Sequence, residues 1–188
     1  MVQQVPAKTT FKEFCMATVE TEKGQGVILD SIINPVKQIT IKNGWWDGEE
    51  KTPKIRKFLS DLKDILTEYD NIPMNELVKR MEDIFLSNQK VSIAFIDMRE
   101  AADIEKFKEI YSYIYDIKTV LVRRTGDVEN AAAASNHADA DVFDYSYDIT
   151  VFNYGDIDEL EETADLFVKT FILDQPLPEE HYQRFTYV

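Results

Sequence analysis

The sequence predicts an α/β protein with a mainly parallel sheet, flanked by helices in three layers. Three observations lead there. Short apolar runs rich in β-branched residues, such as VILDSII (27–33), the Val91–Ile96 part of KVSIAFIDMRE and DITVFN (148–153), read as buried strands. Between them lie segments whose apolar residues recur at helical spacing. The two kinds of segment alternate, which favours parallel strands joined by right-handed helical crossovers.

In chain order, FKEFCMATVE (11–20) places Phe11, Phe14, Cys15, Thr18 and Val19 on one side of a helix. Glycines at 24 and 26 end it, and the 27–33 strand follows. Asn34 as N-cap and Pro35 at the first helical position predict a helix to Gly44. After the loop GWWDGEEKT, Pro53 opens a helix over 54–69 with an apolar stripe of Ile55, Phe58, Leu59, Leu62, Ile65 and Leu66. Pro73 opens the next helix, to about 86. The strand at 91–96 leads to a helix over 102–115, with Ile104, Phe107, Ile110, Tyr111 and Ile114 on one side. KTVLVRR (118–124) is a strand ending in two arginines, and 125–146 is polar, Ala-rich and irregular. The 148–153 strand precedes a helix over 156–172 capped by Asp156, and the tail 173–188 carries two prolines and several aromatics.

The totals bound the function. A length of 188 residues suits one domain, 1–188, with enough chain to bury a core unaided. A hydrophobic content of 44% excludes a disordered chain. Cys15 is the single cysteine, so no disulfide can form within the chain, which suits a reducing, cytoplasmic setting. No 18-residue apolar run and no secretory start occur, so neither a membrane span nor export is expected. A net charge of −14 argues against gripping a nucleic-acid polymer by its phosphates. A small phosphorylated ligand, met by a local basic pocket, fits better.

Open parallel sheets bind ligands beyond the carboxyl ends of their strands. With the extended part of the first run taken as 27–30, the residues there are Asp30 and Ser31, then Asp97, Arg99 and Glu100, then Arg123 and Arg124, then Asn153. Two strands are followed or closed by arginine. A guanidinium forks onto phosphate oxygens and keeps its charge. Phosphoryl transfer relies on such a rim, because its catalysis is mostly alignment and charge stabilisation.

The opening, MVQQVPAKTTF, adds Lys8, Thr9 and Thr10. AKTTF is similar to the second half of a phosphate loop, G-x-x-x-x-G-K-[ST]. Ala7 stands where the second glycine belongs, and Val2 where the first would fall. Pro6 brings no N–H to a nest of backbone donors. With KTTFKEFC stand GWWDGEEKTPKIRKFLSDLKDILTEY, SIAFIDMREAADIEKF, and VLVRR followed by NHADADVFDYSYD and NYGDIDEL. In that order, they make the chain resemble the nucleoside-monophosphate-kinase-like branch of the P-loop kinases, particularly the small deoxynucleotide kinases of phages and bacteria. The resemblance covers residues 8 to 172.

That resemblance implies a P-loop nucleoside-monophosphate-kinase-like fold that binds ATP and Mg²⁺. It implies an acceptor-binding region at about 30–70 and a polar lid at about 123–146. Lys8 would face the β- and γ-phosphates, Thr9 would touch Mg²⁺, and Thr10 would stand beside them. Arg56 and Arg99 would hold the acceptor phosphate, and Arg123 and Arg124 would act on the moving charge. Asp97 would be a carboxylate for the metal or its water, and Asp30 would lie at the approach to the acceptor nucleotide. Trp45 is a candidate for stacking on the base, and Asn153 for contacting the nucleotide. The partner expected is a small-molecule nucleotide, with a homodimer left open. Two functions follow: ATP-dependent phosphorylation of a (deoxy)nucleoside monophosphate, or a kinase-like protein whose altered loop leaves it binding a nucleotide or a protein without turnover.

Overall fold

Prolines open three of the helices where the sequence places them. The computed structural model describes residues 10–88, 90–124 and 142–187. Its elements are α1 (Phe11–Lys23), β1 (Gly26–Ser31), α2 (Asn34–Lys42), α3 (Pro53–Asp70), α4 (Ile72–Ser87), β2 (Val91–Asp97) and α5 (Ala101–Tyr111). They continue with β3 (Val120–Arg124), β4 (Ile149–Asn153), α6 (Ile157–Phe171), a 3₁₀ helix (Glu179–Arg184) and β5 (Phe185–Tyr187). The protein is α/β. It falls into two compact units, one spanning Ile28–Met98 and the other holding the residues before and after it.

In the Ile28–Met98 unit, β1 and β2 form a parallel pair. Helices α2, α3 and α4 pack on one another, and α4 also packs on β2. Thr52 caps α3, its hydroxyl accepting from the Ile55 N–H at 3.3 Å. A single residue, Asn71, turns α3 into α4. It sits in the left-handed region at φ 48°, which asparagine tolerates better than most residues, and its N–H reaches the Leu66 and Thr67 carbonyls. Met74 and Leu77 of α4 are fully buried, with Val78 and Met81 beside them in sequence spacing. A second cluster joins Val36, Trp46 and Leu59, with Ile33, Ile55, Leu62 and Leu66 against it.

Two expectations change in this unit. The stripe of α3 is wider than the face it buries: Leu59 is in the core, whereas Phe58 and Ile65 are exposed. Asn34 is the first residue of α2, and its side chain turns to Asp30 rather than capping the helix.

In the other unit, β3 and β4 pair in parallel, Val120 against Ile149 through Arg124 against Asn153. The tail supplies β5, antiparallel to β4, so the triple is mixed. The sequence reading leaves 173–188 without an element. Three residues between aromatics are too short to show an alternation, yet Phe185 is buried and edge-packed on Phe171 at 5.5 Å. Helix α6 packs on both α1 and β4. Its Ala164, Phe167 and Val168 are buried, as are Phe14, Cys15 and Val19 of α1. Burial pushes the Cys15 thiol well above its ordinary range, so it behaves as a small apolar group. Helix α5 ends at Tyr111, four residues short of expectation, and Ile114 is exposed.

The starts of β3 and β4 are tied together by polar groups. Asp148 Oδ2 accepts from the Thr119 N–H and hydroxyl, each at 2.7 Å, and the Asp148 N–H donates back to the Thr119 hydroxyl at 2.9 Å. Burial alone would raise the Asp148 pKa. The Thr119 hydrogen bonds, with Lys108 and Lys118, outweigh it and hold the carboxyl below its ordinary value. A depressed acid contributes stability above its unfolded-state pKa and loses it as pH falls through the folded one. Thermal melts from pH 7 down should therefore lose part of their midpoint below about pH 4. Asp148→Asn should flatten that acid limb, and an unchanged limb would dismiss Asp148 as its source. Side-chain exposure near 36% keeps the effect modest.

Candidate functional site

Each unit carries a polar rim at the carboxyl ends of its parallel strands. In the Ile28–Met98 unit the centre is Asp30, at the end of β1. Arg80 of α4 donates to its Oδ2 from Nε at 3.1 Å and Nη2 at 2.7 Å. Asn34 Nδ2 and the Ser31 N–H each donate to Oδ1 at 2.7 Å. Lys37 Nζ donates in turn to Asn34 Oδ1 at 2.8 Å. The Asp30 side chain is only 12% exposed, so this is a charge largely removed from water and met by a guanidinium and two neutral donors. At the end of β2, the Asp97 carbonyl accepts from the Ile32 N–H at 3.2 Å and the Ser31 hydroxyl at 3.3 Å, closing the two strand ends together. The Asp97 residue itself is exposed.

Farther along the same unit, the adjacent tryptophans part company. Trp46 is buried in the α2–α3 cluster. Trp45 is 54% exposed and meets Phe58 edge-on, with centroids 6.0 Å apart. Arg56 is exposed and donates from Nε to the Lys51 carbonyl at 3.1 Å.

The rim of the other unit is built on β3 and β4. Arg123 pairs in register with Phe152, and Arg124 with Asn153. The Arg123 guanidinium carbon lies 5.5 Å from the Phe143 ring centre and 5.8 Å from that of Phe152. Such cation–π contacts orient a guanidinium while leaving its N–H edges available. Phe152 stacks on Tyr154 with rings 6.0 Å apart and 8° from parallel. Asn153 is buried, and its Oδ1 accepts from the Gly155 N–H at 3.3 Å. Asp156 then starts α6, Oδ1 accepting from the N–H groups of Asp158 and Glu159 at 3.1 and 3.2 Å. Arg99 is exposed just before α5.

At the N-terminus, Thr10 is the extended residue preceding α1, and Glu13 accepts from its N–H and hydroxyl. Lys8 and Thr9 lie outside the described residues. So does the lid, apart from 123, 124 and 142–146. Among the described residues, no group of three or more His, Cys, Asp or Glu is arranged to hold a metal ion. No described helix is long and apolar enough to cross a membrane.

A groove of about 500 Å³ runs beside α1 and α6, lined by Phe14, Thr18 and Thr21 and by the carboxylates of Glu22, Asp158, Glu161, Glu162 and Asp165. Five acidic side chains repel a phosphate, so this groove is set aside as a nucleotide site. Sequence reasoning missed Arg80 and Lys37. Both lie on helix faces, and only folding brings Arg80 to a residue fifty positions earlier. Comparison with protein-family models, with curated proteins and with solved structures finds no match to this chain.

Proposed function

We propose that the chain is a P-loop nucleoside-monophosphate-kinase-like protein that transfers a phosphoryl group from ATP to a (deoxy)nucleoside monophosphate. The observation that carries the reading is Arg123. It is the penultimate residue of a parallel strand, is half-buried, and is oriented by two aromatic rings. A charge held that way is ready for an anion that arrives later. In this reading Arg123 and Arg124 meet the transferred phosphoryl group, and Arg56 and Arg99 the acceptor phosphate. Asp30, held by Arg80 and Asn34, shapes the approach of the acceptor sugar and base, with Trp45 available to stack. Lys8, Thr9 and Thr10 serve the ATP phosphates.

Mg²⁺ usually takes one or two protein carboxylates and completes its shell with water and phosphate oxygens. Asp97, an exposed carboxylate at a strand end, is a donor of that kind, with Thr9 as a second. When bound, the ion neutralises phosphate charge.

Pro6 and Ala7 favour the second reading, a nucleotide binder without turnover, because they weaken the nest of N–H donors that holds ATP phosphates. Tryptophan fluorescence separates the two, since Trp45 is exposed to a ligand and Trp46 is not. Saturable responses to both ATP-Mg²⁺ and a dNMP at millimolar concentration support the kinase. A response to a monophosphate alone supports the binder. Silence toward both overturns the nucleotide reading.

A further inference from the structure

The charge order of α3 opposes its own helix dipole. Residues 53–60 carry Lys54, Arg56 and Lys57 with no acid, and residues 61–70 carry Asp61, Asp64, Glu68 and Asp70 against one base, the buried Lys63. A helix dipole rewards the reverse, acids first and bases last. Other helices of this chain follow that rule: α1 has Glu13 in its first turn and Lys23 in its last, α5 has Asp103 and Lys108, and α6 has Asp158, Glu159 and Lys169. Helices α3 and α4 both lack an acid in the first turn and a base in the last, and α3 also gathers its bases in the first half and its acids in the second.

The same helix exposes Phe58, Ile65 and Tyr69, and with Leu62, half-buried against the core cluster, they follow 4-3-4 spacing, the seam spacing of paired helices. Ile65 is 61% exposed and Tyr69 81%, with Trp45 packed on Phe58 at one end. Lys54, Lys57, Asp61 and Glu68 fall along one flank of that seam.

We infer that α3 is the contact by which two copies of this chain pair antiparallel, seam against seam. An antiparallel second copy sets the basic half of each α3 beside the acidic half of the other and opposes the two dipoles. Centred on residues 61–62, the pairing brings Phe58 beside Ile65 of the second copy and Lys54 beside Glu68 of the second copy. The contact is self-complementary, as a two-fold interface must be. Two copies of a chain with net charge −14 repel overall, and the complementary order of charges along α3 supplies the local attraction that offsets this at the seam.

Sedimentation velocity on the full chain tests this. A dimer should form at micromolar concentration and weaken with added salt. Ile65→Lys with Tyr69→Lys should give a monomer whose circular dichroism is unchanged, since both positions are exposed. Lys54→Glu should raise the dimer dissociation constant by about 10-fold or more, and adding Glu68→Lys should bring it back. Only antiparallel self-pairing predicts that rescue. A chain that stays monomeric at 100-micromolar order of concentration overturns the inference. So does a dimer indifferent to the Ile65 and Tyr69 changes, or a charge swap that fails to restore it.

Discussion

Replacing Arg123 by alanine is expected to lower phosphoryl transfer by about 10³-fold, the scale on which an arginine acts on a transferring phosphoryl group. The argument begins with placement. Arg123 is the penultimate residue of β3, fixed by its pairing with Phe152, so its Cα cannot drift. Its guanidinium lies near two ring faces, Phe143 and Phe152. Each contact stabilises by about 0.5–1 kcal/mol, so Arg123→Ala should cost no more than about 2 kcal/mol of folding stability. The loss of rate should therefore greatly exceed the loss of stability. Arg123→Lys keeps the charge but not the fork, and should fall between. Phe143→Leu with Phe152→Leu should reduce the rate less than Arg123→Ala, because the charge remains while its orientation loosens. Wild-type turnover in Arg123→Ala would remove Arg123 from the reaction.

The second large effect concerns Arg80. Arg80→Ala removes the guanidinium that donates twice to Asp30 Oδ2, in a place where the Asp30 side chain is 12% exposed. Losing one partner of a fully buried pair costs about 3–5 kcal/mol. Arg80 is 36% exposed, and water can reach part of the gap, so about 2 kcal/mol is expected here. Much of that cost is the loss of the guanidinium's charge beside a mostly buried carboxylate. Adding Asp30→Asn to Arg80→Ala should therefore recover part of it, measured by urea unfolding of the four variants. Equal stabilities for wild type and Arg80→Ala would show that Asp30 is satisfied without the guanidinium.

What could be read in the sequence was what acts locally. Pro35, Pro53 and Pro73 stand in the first turns of α2, α3 and α4, because a fixed φ and a missing N–H suit those positions. Asp156 caps α6 with its own side chain, as an Asp before an apolar-periodic run should. The strand ends carrying Asp97, Arg123 and Asn153 lie where the apolar runs stop, whereas β1 ends at Ser31, two residues before the end of the 27–33 run.

What escaped depends on distant partners. The stripe of α3 does not say which of its apolar residues will be covered, so Phe58 and Ile65 read like Leu59. The pairs Asp30–Arg80 and Thr119–Asp148 join residues 50 and 29 positions apart, and spacing cannot show them. Asn34 had two uses, cap or hydrogen-bond partner, and the nearness of Asp30 decided between them. β5 became a strand because β4 offered it an open edge.

The central claim is that this chain moves a phosphoryl group from ATP to a nucleoside monophosphate. Its most direct test is to incubate the chain with ATP-Mg²⁺ and each of the four deoxynucleoside monophosphates, and to separate the products. ADP and a deoxynucleoside diphosphate should appear in equal amounts with at least one of the four, and disappear with Arg123→Ala. No diphosphate above the protein-free control with any of the four, at millimolar substrate, would contradict it.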